Sequence, residues 1–453
     1  MSRVQPARRV ALDVLRAVSD DDAYSNLLLP SRIARARLDA ADAGLATELT
    51  YGTLRLQGYY DRVIAIAARR AVEKIDPALL DVLRLGVHQL LSTRVATHAA
   101  VDESVELARE VGSRSATGFV NGVLRTVSRT TPDAWRERVL AGAVGVDDRL
   151  SAEWSHPAWV VRAFRQSLTA EARGDELVDL LEADNQAPRV SLVALPGLAE
   201  VAELGGPGGV LSPVAATNVG GDPSNHPAVR EGRARVQDEG SQLAALMLSR
   251  HRPVVGDERW LDMCAGPGGK AALLGAEAAR GGARLLANEL VPARAGLVRQ
   301  ALESVPGEIE VLEGDATRFG SDRPGSFDRI LLDAPCTGLG ALRRRPEARW
   351  RKQPRDVGEL TELQARLFTS AVDALAPGGV LAYVTCSPHV AETRAIVETG
   401  VRGRDELTVV DATETARRVV GSPVDLGSAP YVQLWPHRHG TDAMFVALIE
   451  KRR

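Results

Sequence analysis

Cysteine is scarce in this chain, with three residues among 453, at positions 264, 336 and 386. They lie too far apart for the C-x2-C pairs of a zinc site, and a disulfide scaffold would need many more of them. The count therefore predicts neither a metal centre nor a disulfide framework. We expect a protein of a reducing, cytoplasmic compartment.

Long apolar runs are also missing. No stretch of about 18 apolar residues occurs, so no membrane span is expected. The first fifteen residues, MSRVQPARRVALDVL, contain no continuous apolar core of the length found in signal peptides. The net charge is −3, so the chain is not a polycation, although a basic binding face can still be local.

What the chain does contain is the composition of a soluble globular protein, with 45% hydrophobic and 25% charged residues. Its length favours two or three domains. We predict a helical domain over 1–142, a connector of helices and short strands over 145–235, and a domain of alternating strands and helices over 236–453.

The helical prediction for the first region rests on periodicity. RRVALDVLRAV places Val10, Val14 and Val18 mostly on one face of a helix, and strand-like alternation is missing from the region. The connector contains a stretch rich in glycine, proline, serine and asparagine at 205–227. That composition is typical of loops and turns.

The third region alternates strand-like and helix-like segments. The strand-like segments include ERWLDMCAG, ARLLANEL, EIEVLEGDA, SFDRILLDAP and GGVLAYVTCS. This order predicts a mostly parallel sheet with helices on both faces. Ligands of such sheets bind at the carboxyl ends of the strands. We therefore expect the functional site at the residues that end these segments.

The loop DMCAGPGGKA, residues 262–271, turns from a strand into a helix with three glycines. Glycine lets a backbone approach a ligand closely, and the helix start offers unpaired N–H groups. A Walker A loop would need glycine at 264 and serine or threonine at 271, so that motif is excluded. Gly266, Gly268 and Ala271 do fit the G-x-G-x-x-A pattern of dinucleotide binding, so an NAD interpretation stays open here.

Polar residues end the other predicted strands. Glu289 could accept hydrogen bonds from the ribose diol of NAD or S-adenosylmethionine, and Asp315 could accept one from an adenine amino group. Asp333 and Cys336 flank a proline at the fourth strand end, and Cys386 ends the fifth. A single buried cysteine is usually a packing residue. Two at adjacent strand ends beside an acid favour substrate chemistry over hydride transfer.

A basic segment lies between these two cysteines. ALRRRPEARWRK, residues 341–352, contains six Arg or Lys and one Glu, with Trp350 among them. Basic side chains can contact phosphates, and an aromatic ring can stack on a base. We predict that this segment contacts nucleic acid.

Seven motifs together resemble the RNA (cytosine-5)-methyltransferases of the Nop2/Sun class: VQDEGSQL, LDMCAGPGGK, ANEL, EGDA, LLDAPCTGLG, RRRPEARWRK and YVTCSP. The first 140 residues, including FVNGVLRTV, resemble a NusB-like RNA-binding domain. The resemblance implies an all-α N-terminal domain, a small α+β connector and a Rossmann-like class I methyltransferase domain. It also implies S-adenosyl-L-methionine as methyl donor, no metal, and RNA as partner, expected to be 16S ribosomal RNA, with no DNA and no membrane. We expect a monomer.

The resemblance also implies roles for particular residues. The cofactor contacts of the family fall on Cys264, Ala265, Gly266, Pro267, Gly268, Gly269, Lys270, Glu289, Asp315 and Asp333. The family pattern assigns the attack on cytosine C6 to Cys386 and product release to Cys336, with Asp333 as the acid near N3 of the base. A thiolate added to C6 makes C5 nucleophilic, which a free cytosine is not. DNA cytosine methyltransferases instead use the cysteine of a Pro-Cys pair, here Cys336, so the chain holds two candidate nucleophiles.

The chain departs from the family pattern at several points. Glu289 stands where aspartate is more common, Gly266 interrupts a CAAP sequence, Glu392 alone matches a Glu-Asn-Glu, and 442–445 read DAMF instead of DGFF. Three alternatives stay open: an NAD-dependent oxidoreductase, a non-catalytic RNA-binding or antitermination factor, and a cytosine-5 methyltransferase of tRNA or large-subunit ribosomal RNA.

Overall fold

The structure is a computed structural model, and it describes residues 4–21, 23–112, 114–427 and 429–453, without the side chain of Arg114. The chain forms two compact units. Unit 1 comprises Met1–Arg162, Leu181–Gln186 and Leu342–Arg351, and unit 2 comprises Ala163–Leu180, Ala187–Ala341 and Lys352–Arg453. The three predicted domain ranges, 1–142, 145–235 and 236–453, stay a prediction.

The helices and strands are as follows. The helices are α1 (Pro6–Asp20), α2 (Ser25–Ala36), α3 (Ala40–Arg55), α4 (Gln57–Ala68), α5 (Pro77–Ser92), α6 (Thr97–Val111), α7 (Arg114–Ser128), α8 (Pro132–Ala141), α9 (Gly145–Trp154), α10 (Ala158–Thr169), α11 (Leu177–Asp184), α12 (Pro227–Arg230), α13 (Glu239–Ser249), α14 (Gly269–Gly281), α15 (Pro292–Leu302), α16 (Phe319–Asp322), α17 (Ala348–Arg351), α18 (Pro354–Ala374), α19 (Arg394–Val401), α20 (Ala412–Val420) and α21 (Pro436–His439). The strands are β1 (Ser191–Ala194), β2 (Ala215–Thr217), β3 (Ala234–Val236), β4 (Arg259–Asp262), β5 (Arg284–Asn288), β6 (Ile309–Leu312), β7 (Phe327–Asp333), β8 (Leu375–Thr385), β9 (Leu407–Val410), β10 (Val432–Gln433) and β11 (Phe445–Lys451). None of the helices in these described ranges is long and apolar enough to cross a membrane.

Unit 1 is helical, as its periodicity predicts, and local capping signals set several of its helix starts. Asp39 accepts a hydrogen bond from the backbone N–H of Asp42 at the start of α3. Asp76 caps α5 in the same way, with Pro77 at the first helical position, and Thr131 caps α8. Each such cap contributes about 1 kcal/mol by satisfying a backbone donor that the helix leaves unpaired.

The core of unit 1 forms where the apolar faces of α1, α3, α4, α5 and α7 meet. Val10, Val14, Leu49 and Tyr60 are buried there. Trp135 of α8 is fully buried, and its indole Nε1 donates a hydrogen bond of 3.0 Å to the carbonyl oxygen of Val127. The apolar stripe read from α1 is therefore the inward face of the helix.

The basic segment 342–351 belongs to this helical unit. The Arg349 guanidinium is fully buried and donates hydrogen bonds to the carbonyl oxygens of Arg55 (2.9 Å), Ser155 (3.2 Å) and Asp184 (2.7 Å) and to Oδ1 of Asn185 (2.7 Å). Burial lowers the pKa of Arg349 to about 10, yet the group stays a cation at neutral pH. The prediction that the segment contacts nucleic acid is wrong for Arg349, because its side chain is occupied by unit 1 itself.

Neighbouring residues of the segment are engaged in the same way. The buried Glu347 accepts hydrogen bonds from the backbone N–H (3.2 Å) and the hydroxyl (2.9 Å) of Ser25. The guanidinium groups of Arg345 and Arg351 lie over the ring of Tyr24. Trp350 packs its ring against the backbone of Gly58, where a Cβ would clash with it. Trp350 is only partly buried, so its predicted contact with nucleic acid stays a prediction.

Unit 2 contains two sheets. The small one has the order β2-β1-β3 with antiparallel pairing. The large one has the order β10-β11-β8-β7-β4-β5-β6, and β9 pairs with β11. Strands β4 to β8 run parallel to their neighbours, whereas β11 is antiparallel to β8, β9 and β10. The predicted, mostly parallel sheet is confirmed.

Helices cover both faces of the large sheet. Along β8 the buried side chains alternate: Val380, Ala382 and Val384 join a core with α13, α14 and α20, whereas Leu381 and Tyr383 join a core with α16, α18 and α19. Strand β4 lies between β5 and β7. The strands that follow β4 in sequence first fill one side of it, with β5 and β6, and then the other side, with β7 and β8. Crevices form at the carboxyl ends of strands at such a reversal, and that is where the predicted site residues lie.

Candidate active site at the carboxyl edge of the large sheet

The glycine loop follows β4 and leads directly into α14. The N–H of Ala265 donates to the carbonyl oxygen of Asn288 (2.8 Å), and the N–H of Gly268 donates to that of Ala265 (2.7 Å). Gly268 has a φ of +107°, and a Cβ there would clash with Ala301 of α15. The loop is therefore a tight turn that presents the backbone of Gly269 and the following residues at the start of a helix.

Glu289 lies next to this loop, one residue after β5. It is 4% exposed, its Oε2 accepts the N–H of Gly266 (3.1 Å), and its Oε1 accepts that of Val291 (3.0 Å). A Cβ at position 266 would clash with Oε2, so glycine permits the close approach. Arg294 is also near, with its Nη2 3.5 Å from Oε2. The exposed Pro267 forms the outer corner of the loop.

Asp315 follows β6 and is exposed. Its Oδ1 accepts hydrogen bonds from the backbone N–H (2.9 Å) and the hydroxyl (2.7 Å) of Thr317, which lower the pKa of Asp315. Asn288, a residue that the sequence did not single out, ties the strand ends together. Its amide nitrogen donates to the carbonyl oxygens of Met263 and Gly314, at 3.0 Å each.

Lys270 reaches from α14 to the end of β7. Its Nζ donates to Oδ2 of Asp333 at 2.8 Å, and both side chains are largely shielded from solvent. Burial opposes the ammonium form, but the charge and the hydrogen bond of Asp333 raise the pKa of Lys270, and Cys386 and Asp262 add to the effect. The lysine that was predicted as part of the cofactor loop thus connects the loop to the predicted catalytic acid.

The two predicted catalytic cysteines lie side by side. Sγ of Cys336 is 3.5 Å from Sγ of Cys386, a contact and not a disulfide, and both residues are partly exposed. The hydrogen bond with Cys386, burial and the nearby charge of Glu392 together raise the pKa of Cys336. Cys386 also lies within the electrostatic reach of the Lys270 ammonium, and this interaction contributes to the raised pKa of Lys270.

Cys264, the third cysteine, differs from this pair. Burial, together with the negative charges of Asp262, Asp333 and Glu289, strongly raises its pKa. A thiol in such a setting stays protonated and is a poor nucleophile.

Two buried carboxyl groups complete the edge, and neither was predicted to act there. Glu392, considered before only as a motif residue, is fully buried and accepts hydrogen bonds from the residues that follow the two cysteines, Thr337 and Ser387. Asp262 ends β4, and neither of its oxygens has a hydrogen-bond partner of ordinary geometry in the described part of the chain. Burial and the charge of Asp333 raise the pKa of Asp262 to about 7.

The structure thus brings the predicted residues to one edge of one sheet, and the comparisons with known proteins agree with the class that this edge indicates. A family profile described as 16S rRNA methyltransferase RsmB/F matches residues 252–450, and the NusB family matches residues 5–129. These matches cover both the sheet with its cysteine pair and the helical N-terminal region.

Individual relatives extend along nearly the whole chain. A Mycobacterium tuberculosis protein, provisionally named as a methyltransferase, is 47% identical over 99% of this chain and 97% of its own. The ribosomal RNA small subunit methyltransferase B of Pseudomonas putida is 30% identical over 86% of this chain and 88% of its own. The crystal structure of PH0851 shares the fold, with a TM-score of 0.82 and 22% identity over 99% of both chains.

The sheet, the glycine loop and these matches define an S-adenosylmethionine-dependent RNA methyltransferase. The chain belongs to the RsmB/F methyltransferase family and carries a NusB-family domain in its N-terminal region. The NAD interpretation of the glycine loop and the non-catalytic alternative therefore give way to methyl transfer. In the described ranges, no group of three or more His, Cys, Asp or Glu side chains is arranged to hold a metal ion.

Proposed function

We propose that the protein methylates C5 of a cytosine in small-subunit ribosomal RNA, with Cys386 as the nucleophile that bonds to C6 of the base. The observation that carries this proposal is the sulfur pair, Cys336 and Cys386, 3.5 Å apart beside the ion pair of Lys270 and Asp333. A single reactive thiol could serve many reactions. Two thiols next to an acid and a cation meet the particular needs of forming and then breaking a bond to a pyrimidine ring.

The residues at the loop fit S-adenosylmethionine. The Glu289 carboxylate keeps lone pairs beyond its two backbone contacts, and one Asp315 oxygen accepts none of the hydrogen bonds from Thr317. These acceptors suit a ribose diol and an adenine amino group. Gly266 lets the loop backbone come close to the carboxylate of Glu289, which keeps that acceptor beside the loop. When bound, S-adenosylmethionine supplies an electrophilic methyl group.

The first step uses Cys386. Its thiolate adds to C6 of the cytosine and the C5–C6 double bond becomes an enamine, so that the electron pair needed to attack the methyl group develops at C5. Negative charge builds up toward N3 as the thiolate adds. Asp333 lies at this strand end with the Lys270 ammonium hydrogen-bonded to it, and we assign to this pair the delivery of a proton to N3, from the ammonium by way of the carboxylate.

The second step uses Cys336. After the C5–methyl bond has formed, water at the partly exposed cysteines takes the C5 proton, and the electron pair of the C5–H bond expels the sulfur of Cys386 from C6 as a thiolate, which restores the aromatic ring. Cys336 lies 3.5 Å from the departing sulfur and is held as a thiol by its raised pKa. In this proposal it assists release of the methylated base. The target base has to be unstacked from its helix to reach these groups.

The RNA target is proposed from the relatives, one of which is named for the small ribosomal subunit. The test is transfer of tritiated methyl groups to total RNA from cells that lack the protein, followed by bisulfite sequencing. We expect label in small-subunit ribosomal RNA and one bisulfite-resistant cytosine. Label in tRNA or large-subunit RNA would overturn the target, and label without any resistant cytosine would overturn the C5 chemistry.

A further inference from the structure

Glu392 occupies an unusual position for a carboxylate. It is fully buried in the short turn that follows β8, and four donors point at it. Oε1 accepts the backbone N–H of Thr337 (2.7 Å) and the amide of Gln364 (3.2 Å). Oε2 accepts the hydroxyls of Thr337 (2.5 Å) and Ser387 (2.6 Å). A buried charge that receives four hydrogen bonds is well compensated and is held in one place.

The donors come from two different loops. Thr337 directly follows Cys336, and Ser387 directly follows Cys386, so one carboxylate joins the chain at both cysteines. Their hydroxyls also contact each other at 3.0 Å. From α18, Gln364 donates to the carbonyl oxygen of Pro335 (2.8 Å) as well, which ties the proline on the other side of the first cysteine to the same network.

We infer that Glu392 is a positioning residue for the reaction, which holds the two cysteine loops in the register that sets Cys336 and Cys386 side by side. The inference rests on the proposed roles of the two sulfurs and goes beyond them, because it explains how two loops about 50 residues apart in sequence deliver their sulfurs to one base. The side chain itself touches neither sulfur among the contacts described above, so it acts through Thr337 and Ser387.

The charge of Glu392 adds an electrostatic part to this role. It contributes to the raised pKa of Cys336, whereas Cys386 interacts electrostatically with the Lys270 ammonium. The same carboxylate that aligns the two loops therefore also favours one ionised and one protonated sulfur. Two thiolates in contact would repel each other, and neither sulfur would be a thiol that could assist release of the base.

Two substitutions of Glu392 separate the effect of its shape from the effect of its charge. Glu392→Gln keeps the shape: the Thr337 N–H and Gln364 contacts can remain on the carbonyl oxygen, and both hydroxyls can turn to accept from the new amide. Glu392→Ala removes all four acceptor contacts. Positioning thus depends on shape, which Gln retains, and the protonation of Cys336 depends on charge, which Gln lacks.

The first experiment needs no RNA. Phenylarsine oxide, which binds two neighbouring thiols at once, is added to the full chain, and protection of each cysteine from iodoacetamide is read by mass spectrometry. We expect wild type and Glu392→Gln to protect Cys336 and Cys386 together, and Glu392→Ala to bind the arsenical at least about tenfold more weakly. Glu398→Ala, an exposed acid of α19, is the matched control and should behave as wild type.

Two results would overturn the inference. One is a Glu392→Ala variant that binds the arsenical as tightly as wild type does, while its melting temperature equals that of Glu398→Ala and so shows that it is folded. The other concerns Glu392→Gln and applies even if the alanine variant does not fold: loss of the joint arsenical protection in this variant, which keeps the shape, contradicts the positioning role. The pH at which Cys336 reaches half of its alkylation rate should fall in Glu392→Gln, and an unchanged pH profile contradicts the charge effect alone.

The second experiment separates this inference from the proposed function. Methyl transfer to small-subunit ribosomal RNA is measured with both variants. We expect Glu392→Ala to lower kcat about tenfold or more with a KM for S-adenosylmethionine within about twofold of wild type, and Glu392→Gln to shift the pH optimum. If wild type methylates no RNA, the proposed function fails, whereas the arsenical result still reports on the sulfur pair. If it does and Glu392→Ala matches it, only the positioning role fails.

Discussion

Two stretches of this chain both contain residue types that indicate a functional site, but in the structure their side chains have different partners. The cysteine loops, 333–340 and 386–392, keep their polar groups partly exposed at the carboxyl edge of a sheet and pair them with one another. In the basic segment 342–351, the side chain of Arg349 instead points into unit 1 and donates hydrogen bonds to backbone carbonyl oxygens there. A charged or nucleophilic residue type is thus weak evidence of function, while its place at a strand end is stronger evidence.

The difference has a physical origin. The carboxyl ends of parallel strands have no following strand residues to pair with, so they open into a crevice where side chains remain available to a ligand. A connecting segment packed against helices faces unpaired carbonyl groups at the helix ends, and a guanidinium with five donors satisfies several of them at once. Both arrangements are polar, but in the second one the donors of Arg349 are already taken up by the protein itself.

The largest expected effect separates the two sulfurs within the cysteine loops. Cys386→Ala should lower methyl transfer by at least about a thousandfold and should abolish any covalent protein–RNA adduct, because the base can no longer be activated. Cys336→Ala should instead accumulate an adduct that survives on a denaturing gel. The opposite pattern, with the adduct lost in Cys336→Ala and kept in Cys386→Ala, would reverse the assignment.

A backbone change at the same loops should have the next largest effect. The N–H of Gly340 donates to the carbonyl oxygen of Cys386 (2.8 Å), and a Cβ at 340 would clash with the carbonyl oxygen of Ala443. Gly340→Ala should therefore displace the loops and lower kcat about a hundredfold, as small misplacements of reacting groups do. The control is Gly358→Ala in α18, where a Cβ meets nothing within 4 Å and activity should be unchanged.

Substitution in the basic segment should affect stability and not catalysis. Arg349→Met should lower the free energy of unfolding by about 3–5 kcal/mol, since it leaves four buried acceptors without their donor. Arg345→Ala, at an exposed position of the same segment, removes only a contact with the Tyr24 ring and should change it by less than about 1 kcal/mol. Urea unfolding measures both. A stable Arg349→Met with weakened RNA binding would restore the nucleic-acid interpretation.

The smallest expected effect is a pH dependence at Asp262. Its pKa of about 7 in the folded chain lies above the value of about 3.9 in an unfolded one, so the folded state binds more protons between these values. Stability from this group is present at low pH and is lost as the pH rises through 7. The melting temperature of wild type should fall from pH 5 to pH 8 by more than that of Asp262→Asn. Parallel curves would contradict the raised pKa.

The sheet and its site edge could be predicted because they depend on local patterns. Strand-like runs that alternate with helix-like ones predict parallel strands, and parallel strands bring Asp333, Cys336 and Cys386 to one edge whatever the details of packing. The resemblance to a known family supplied the roles that periodicity cannot give. Those roles stay predictions, although the sulfur contact of 3.5 Å places the two cysteines where the roles need them.

What could not be predicted depends on contacts between distant parts of the chain. The sequence around Arg349 does not indicate that the carbonyl oxygens of Ser155 and Asp184 accept hydrogen bonds from its side chain. Glu392 matches a motif position, but its partner Thr337 lies 55 residues away. Burial of a charge is decided by which acceptors or donors the tertiary structure happens to collect around it, and a single sequence gives no direct signal of that.

The division of unit 1 into three separate stretches of chain has a consequence for how the protein can be cut or recombined. A fragment that ends at Arg162 would lack 181–186 and 342–351, and with them the groups that satisfy Ser25 and the carbonyl oxygens of Arg55 and Ser155. No single cleavage therefore releases the helical unit intact. Exchange of this unit between relatives would have to carry a ten-residue insert from the middle of the catalytic sequence along with it.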